Sequence, residues 1–162
     1  MSTRTLPPAF APLIVSVLLP LCTPCEVLMI FLCAAGDEVV VEMHQQPADR
    51  SCANEAIGGA HYGPIMIYMA KVDDAASAVG SSANWFKISE MGLPSNNQDY
   101  WGTEVLNDNC GHYTFTVPTD IAPGQYLLRA EVIGKLERRI SCFCPSMKSK
   151  NELFSRLNQH ST

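Results

Sequence analysis

Hydrophobic and polar positions alternate along much of the middle of the chain. In YTFTV, Tyr113, Phe115 and Val117 fall on one face and Thr114 and Thr116 on the other, the two-residue period of a half-buried strand. After Ile121-Ala122-Pro123-Gly124, the run from Gln125 to Ile133 places Tyr126, Leu128, Ala130 and Val132 opposite Arg129 and Glu131. The Pro-Gly loop between these two runs predicts that they pair antiparallel. PIMIYMAKV, from Pro64 to Val72, is apolar on both faces as far as Lys71, which predicts a central strand covered on both sides. The valine-rich segment Glu38 to His44 opens after the turn signal Gly36-Asp37, and WFKISE (Trp85 to Glu90) alternates again. Between Gly36 and Gly134 no stretch shows a helical period, and the polar stretches Gln45 to Gly63 and Met91 to Asn109 read as long loops. The pattern predicts an all-β, immunoglobulin-like or fibronectin-like antiparallel β-sandwich.

The two ends differ from this middle. Arg4 precedes the apolar run Ala11 to Leu21, the layout of a secretory signal. A second apolar run, Val27 to Ala35, follows, so a membrane span is the alternative reading, weakened by a proline and the Glu26 carboxylate between the two runs. From Ala34 to Gly134 there are four basic residues against thirteen acidic ones, whereas Lys135 to Thr162 holds six basic against two acidic. Three segments follow from this: an apolar leader over 1–34, a sandwich core over 35–134 and a basic tail over 135–162. Within the tail, Ser149 to Leu157 has the spacing of a short basic helix, with Leu153, Phe154 and Leu157 together.

A formal net charge of −5 over 162 residues argues against a nucleic-acid partner, because phosphate binding needs a positive field. Seven cysteines suit an oxidising compartment. Spacing alone leaves the pairing of Cys52, Cys110, Cys142 and Cys144 open, and Cys142-Phe143-Cys144 lacks the two-residue spacer of zinc ribbons.

Candidate chemistry is sparse. His44 ends a strand, His61 precedes Tyr62-Gly63-Pro64, His112 follows Cys110-Gly111, and His160 lies near the end. A single histidine beside a strand end is more often a loop hydrogen-bond partner than a ligand. Asp73, Asp74 and Glu90 read as solvated charges rather than a glycosidase pair, which needs a set separation across a cleft. Trp85, opening a strand, reads as core, and Trp101 in its loop is open to either role.

Several blocks carry a resemblance. AHYGPIMIYMAKVDDA (Ala60 to Ala75), NWFKISEMGL (Asn84 to Leu93), WGTEVLNDNCGHYTFTVP (Trp101 to Pro118) and IAPGQYLLRAEVI (Ile121 to Ile133) resemble, in order and spacing, fungal lytic polysaccharide monooxygenases of auxiliary-activity family nine; AGDEVVVEMHQQPADRS (Ala35 to Ser51) is similar to the strand before them. The resemblance implies a secreted sandwich holding one copper ion, which cleaves cellulose or a related β-glucan with oxygen or hydrogen peroxide and an external electron donor. It implies no stable membrane association. In that family copper sits in a brace formed by the amino group and ring of an N-terminal histidine and the ring of a second histidine, with an axial tyrosine. His61, in HYGP, matches the second histidine, and nitrogen donors of this kind suit divalent copper.

The chain departs from the pattern at both ends. Residues 1–35 contain no histidine, and no tyrosine occurs after Tyr126, so the first brace residue and the axial tyrosine have no counterpart. The sandwich is accordingly expected to be incomplete at both termini and the chain inactive as written. A non-catalytic carbohydrate-binding module on the same sandwich is the alternative.

Overall fold

The computed structural model describes residues 13–17, 29–46, 49–134 and 146–149. They form eight strands, β1 (Leu13–Val17), β2 (Met29–Cys33), β3 (Glu38–Glu42), β4 (Ile65–Val72), β5 (Phe86–Met91), β6 (His112–Thr116), β7 (Gln125–Val132) and β8 (Ser146–Ser149), with one helix, α1 (Gly102–Asp108), and a single 3-10 turn at Gly80–Ser82. The strands make a five-stranded sheet in the order β2-β1-β7-β4-β5 and a three-stranded sheet in the order β6-β3-β8.

Strands β3 and β6 bury the face that their alternation dictates. In β3, Val39 and Val41 are fully buried, facing Phe115 and Tyr113 of β6 in antiparallel register. Across the gap, β4 contributes Ile65, Ile67 and Met69, and β7 contributes Tyr126, Leu128 and Val132, to the same core cluster. The two sheets therefore pack face to face as a β-sandwich. The Ser89 and Tyr113 hydroxyls meet at 2.8 Å and tie β5 to β6 across that core. The second apolar face of β4 has its own cover: Ala70 and Leu127 form a smaller cluster with Ala75, flanked by Trp85. Arg129 stacks on the same outer face, its guanidinium 4.8 Å from the Tyr68 ring centre and 4.5 Å from that of Trp85.

Three features differ from the sequence reading. First, β6 and β7 do not pair; β6 joins β3 while β7 joins β4 and β1. A tight turn would have kept the two strands in one sheet, but the stretch from Val117 to Gly124 is long enough to cross between sheets. Its far end is pinned by the Tyr126 hydroxyl, which donates to the Ala122 carbonyl at 2.7 Å, as in the tyrosine corner of Greek-key sandwiches. Second, β1 runs parallel to β7, an arrangement open to strands far apart in sequence, whose connection is long enough for a crossover. Third, part of the presumed loop Met91 to Asn109 is the helix α1. Seven residues make fewer than two turns, too short for a 3.6-residue period to register.

The strands also reach beyond the expected core. Phe31 and Cys33 of β2 are buried in it, and β8 pairs with β3. Residues 150–157 of the expected tail helix lie outside the described residues.

Candidate functional site

The segment between β3 and β4 carries His61. Its path is held from three sides. At the start, the Gln45 amide donates to Ala56 O at 2.8 Å. In the middle, the Asn107 side chain of α1 pairs with both backbone groups of Ile57: Ile57 N–H donates to Oδ1 at 2.8 Å, and Nδ2 donates to Ile57 O at 3.1 Å. At the end, Thr103 grips Gly63, accepting from its N–H through Oγ1 at 3.2 Å and donating its own N–H to Gly63 O at 3.1 Å. Thr103 is fully buried, so these bonds are shielded from competing water.

Within this frame the His61 ring is oriented by its own loop. Nδ1 hydrogen-bonds the carbonyl of Gly58. A carbonyl only accepts, so Nδ1 carries the proton and Nε2 keeps its lone pair in the neutral imidazole. Ring and backbone are closely framed: a Cβ added at Gly59 would meet Cε1 at 3.3 Å, and one added at Gly134 would meet the His61 Cβ at 3.3 Å. A half-buried imidazole with Nδ1–H on a carbonyl and Nε2 unprotonated is the usual arrangement of a metal-binding histidine. It fits one nitrogen ligand of a copper ion. Among the described residues, no group of three or more His, Cys, Asp or Glu side chains is placed to hold a metal with it.

The other histidines lie elsewhere. His44 is 6% exposed and donates from Nε2 to Glu42 Oε1 at 3.0 Å. Arg50 donates from Nε to the same oxygen at 2.7 Å and from Nη2 to Oε2, and His112 Nε2 lies 3.7 Å from Oε2. Burial pushes the Glu42 carboxyl up, but the Arg50 hydrogen bonds and charge, the His44 hydrogen bond and the His112 charge outweigh it and hold the group below its usual range. This is a structural network around a buried carboxylate, with Arg50 and His112 on its exposed side. Both histidines serve as hydrogen-bond partners, as strand-end position suggests: His44 to Glu42, and His112 through Nδ1 to the Asn109 carbonyl at 3.0 Å. His160 lies outside the described residues.

The remaining candidates fill structural roles. Asp74 accepts from Ala76 N and Ser77 Oγ in a surface turn, and Glu90 pairs with exposed Lys87, so neither belongs to an acid-base pair. Trp85 donates from Nε1 to Gly80 O at 2.9 Å and packs on the smaller cluster; Trp101 donates to Gln98 O at 2.8 Å as it enters α1. Cys52 and Cys110 form a disulfide, which ties the loop after β3 to the end of α1. Cys22, Cys25, Cys142 and Cys144 lie outside the described residues. Asn107 and Thr103 escaped the sequence reading because no motif or period marks them; their partners lie 50 and 40 residues away.

The chain is similar to the AA9 family lytic polysaccharide monooxygenase AA9-X282 of Trametes coccinea, 81% identical over 99 residues that cover 61% of this chain and 36% of that protein. It is also similar to the AA9 family lytic polysaccharide monooxygenase B of Thermothielavioides terrestris, 59% identical over 106 residues that cover 62% of this chain and 32% of that one. The chain thus spans about a third of the length of these curated relatives. Among solved structures, the crystal structure of HiLPMO9B superposes with a TM-score of 0.53 at 31% identity, covering 70% of this chain and 47% of that one. CvAA9A gives the same TM-score at 28% identity, with 70% and 51% covered. The model of Auxiliary Activity family 9 (formerly GH61) matches residues 25–138, well over half of the sequence, and the chain belongs to that family.

Proposed function

We propose that the protein acts in copper-dependent oxidative cleavage of polysaccharides, with cellulose or a related β-glucan as substrate, and that His61 is one nitrogen ligand of the copper ion. The observation that carries this is the His61 imidazole itself: Nδ1 is committed to the Gly58 carbonyl, which leaves Nε2 as the donor. Family membership supports the chemistry, since the matched relatives are named lytic polysaccharide monooxygenases. Copper, when bound, supplies the redox chemistry with oxygen or hydrogen peroxide and electrons from an external donor. The chain's own contribution is to hold one imidazole at a set orientation where the loop enters β4.

Secretion, with an apolar leader, a sandwich core that takes in Phe31 and Cys33 as well as 35–134, and a basic tail over 135–162, belongs to the same proposal. The Cys52–Cys110 disulfide supports an oxidising compartment.

Among the described residues no group of three or more His, Cys, Asp or Glu side chains is placed to hold a metal with His61, and one imidazole binds copper far more weakly than a complete brace. This favours a second reading for the chain as written, a carbohydrate-binding sandwich without oxidative activity. Two measurements on the full chain separate the readings. Copper(II) titration of wild type and His61→Ala should show weak binding that the substitution abolishes; equal binding by both removes His61 as a ligand. Retention on microcrystalline cellulose, assayed before and after adding ascorbate, then decides the activity. Oxidised sugars released with reductant establish cleavage, retention with no such products favours binding alone, and failure to be retained overturns the cellulose assignment.

A further inference from the structure

We propose that Asn107 is a positioning residue for His61, setting which imidazole nitrogen is free through a two-point grip on the backbone of Ile57. The inference rests on the reading of His61 as a metal ligand and deepens it by naming what holds the ligand in its binding form.

The argument follows a short chain of bonds. The Gly58 carbonyl selects the Nδ1–H form of His61, and Gly58 directly follows Ile57. Ile57 is 4% exposed and anchored in the main core cluster, and Asn107 satisfies both its N–H and its carbonyl. Beyond it come Gly58 and Gly59, then Ala60, whose φ of 58° puts a residue with a Cβ in the left-handed region. A non-glycine residue holds that conformation only where its surroundings over-determine it. The grips on either side, Asn107 on Ile57 and Thr103 on Gly63, both come from α1 and bracket the His61 loop. Asn107 is itself oriented, because Nδ2 also donates to Glu104 Oε1 at 3.2 Å. Its amide cannot flip without setting a donor against Ile57 N–H and an acceptor against two oxygens. Removing the side chain leaves a buried N–H and carbonyl of Ile57 without partners. The carbonyl next in line, on which the Nδ1 proton sits, then loses its fixed position, and the Nε2–H form competes. Protonated Nε2 cannot bind a metal.

The test uses the full chain with nitrogen-15-labelled histidine, free of metal, observed by long-range proton–nitrogen NMR. The His61 signals are assigned by their loss in His61→Gln. Wild type is expected to show Nδ1 protonated and Nε2 bare. In Asn107→Leu, which keeps the bulk but neither hydrogen bond, Nε2 becomes partly protonated, and the copper(II) concentration that broadens the His61 signals rises by about 10-fold or more. Asn107→Asp keeps the acceptor for Ile57 N–H and gives an intermediate shift; it also serves as the readout if Asn107→Leu fails to fold. Ser89→Ala, which breaks the Ser89–Tyr113 contact, controls for general loss of stability and leaves the His61 tautomer unchanged. A folded Asn107 variant with the wild-type tautomer and copper midpoint overturns the proposal, as does Ser89→Ala shifting the tautomer equally. Copper that leaves wild-type His61 signals untouched instead overturns the ligand reading, while a tautomer shift in Asn107→Leu still supports the grip.

Discussion

Gly63 and Ile133 meet backbone to backbone: a Cβ built on Gly63 would lie 1.5 Å from the Ile133 carbonyl oxygen and 2.7 Å from its carbon. The contact joins the end of the His61 loop to the exit of β7, and the adjoining Ile133 N–H donates to Pro64 O at 3.2 Å. Neither partner is a flexible side chain that can swing aside. Gly63→Ala is therefore expected to force β7 and the loop apart, at a cost of about 3 kcal/mol or more. Urea unfolding measures it, and a midpoint within error of wild type contradicts this packing.

A second prediction concerns acid. The Glu42 carboxyl is held below its usual range in the folded protein, so the folded state binds its proton less readily than the unfolded chain. Its contribution to stability is present above the unfolded carboxylate value, about 4.3, and is lost as pH falls through the lower folded value. Glu42→Gln removes the charge that Arg50, His44 and His112 face. It should lower stability at pH 7 by about 1–3 kcal/mol and flatten the decline below about pH 5. Unfolding free energies from pH 7 to pH 3 for both proteins check this; parallel curves show that Glu42 carries no such linkage.

The Cys52–Cys110 disulfide closes a loop with a sequence separation of 58. By the chain-entropy relation, a loop of that size contributes about 4 kcal/mol by restricting the unfolded chain. The double substitution Cys52→Ser/Cys110→Ser should therefore unfold at markedly lower denaturant and lose the wild-type sensitivity to reductant. Alkylation of both cysteines in native, unreduced protein is the result that removes the bond from the account.

Much of the sandwich was legible from local pattern. The inward faces of β6 and β7 followed from alternation alone, since Tyr113, Phe115, Tyr126 and Leu128 are all buried as their spacing requires. The covered position of β4 followed from its unbroken apolar run, with Ile67 in one cluster and Ala70 in the other. Pairing was less legible. The Pro-Gly turn signal before Gln125 is real, yet it says nothing of the sheet in which the next strand lands.

Sequence by itself determined which residues face inward, and through resemblance it singled out His61 and the family. Tertiary structure alone decided that β6 and β7 lie in opposite sheets, that Cys52 pairs with Cys110, that Glu42 gathers Arg50, His44 and His112, and that Asn107 and Thr103 bracket the His61 loop. The physical reason is range: alternation is imposed on each residue by its immediate neighbours and the need to bury apolar surface. The grip of Asn107 on Ile57 exists only once packing brings together residues 50 positions apart, and no local spacing encodes that meeting.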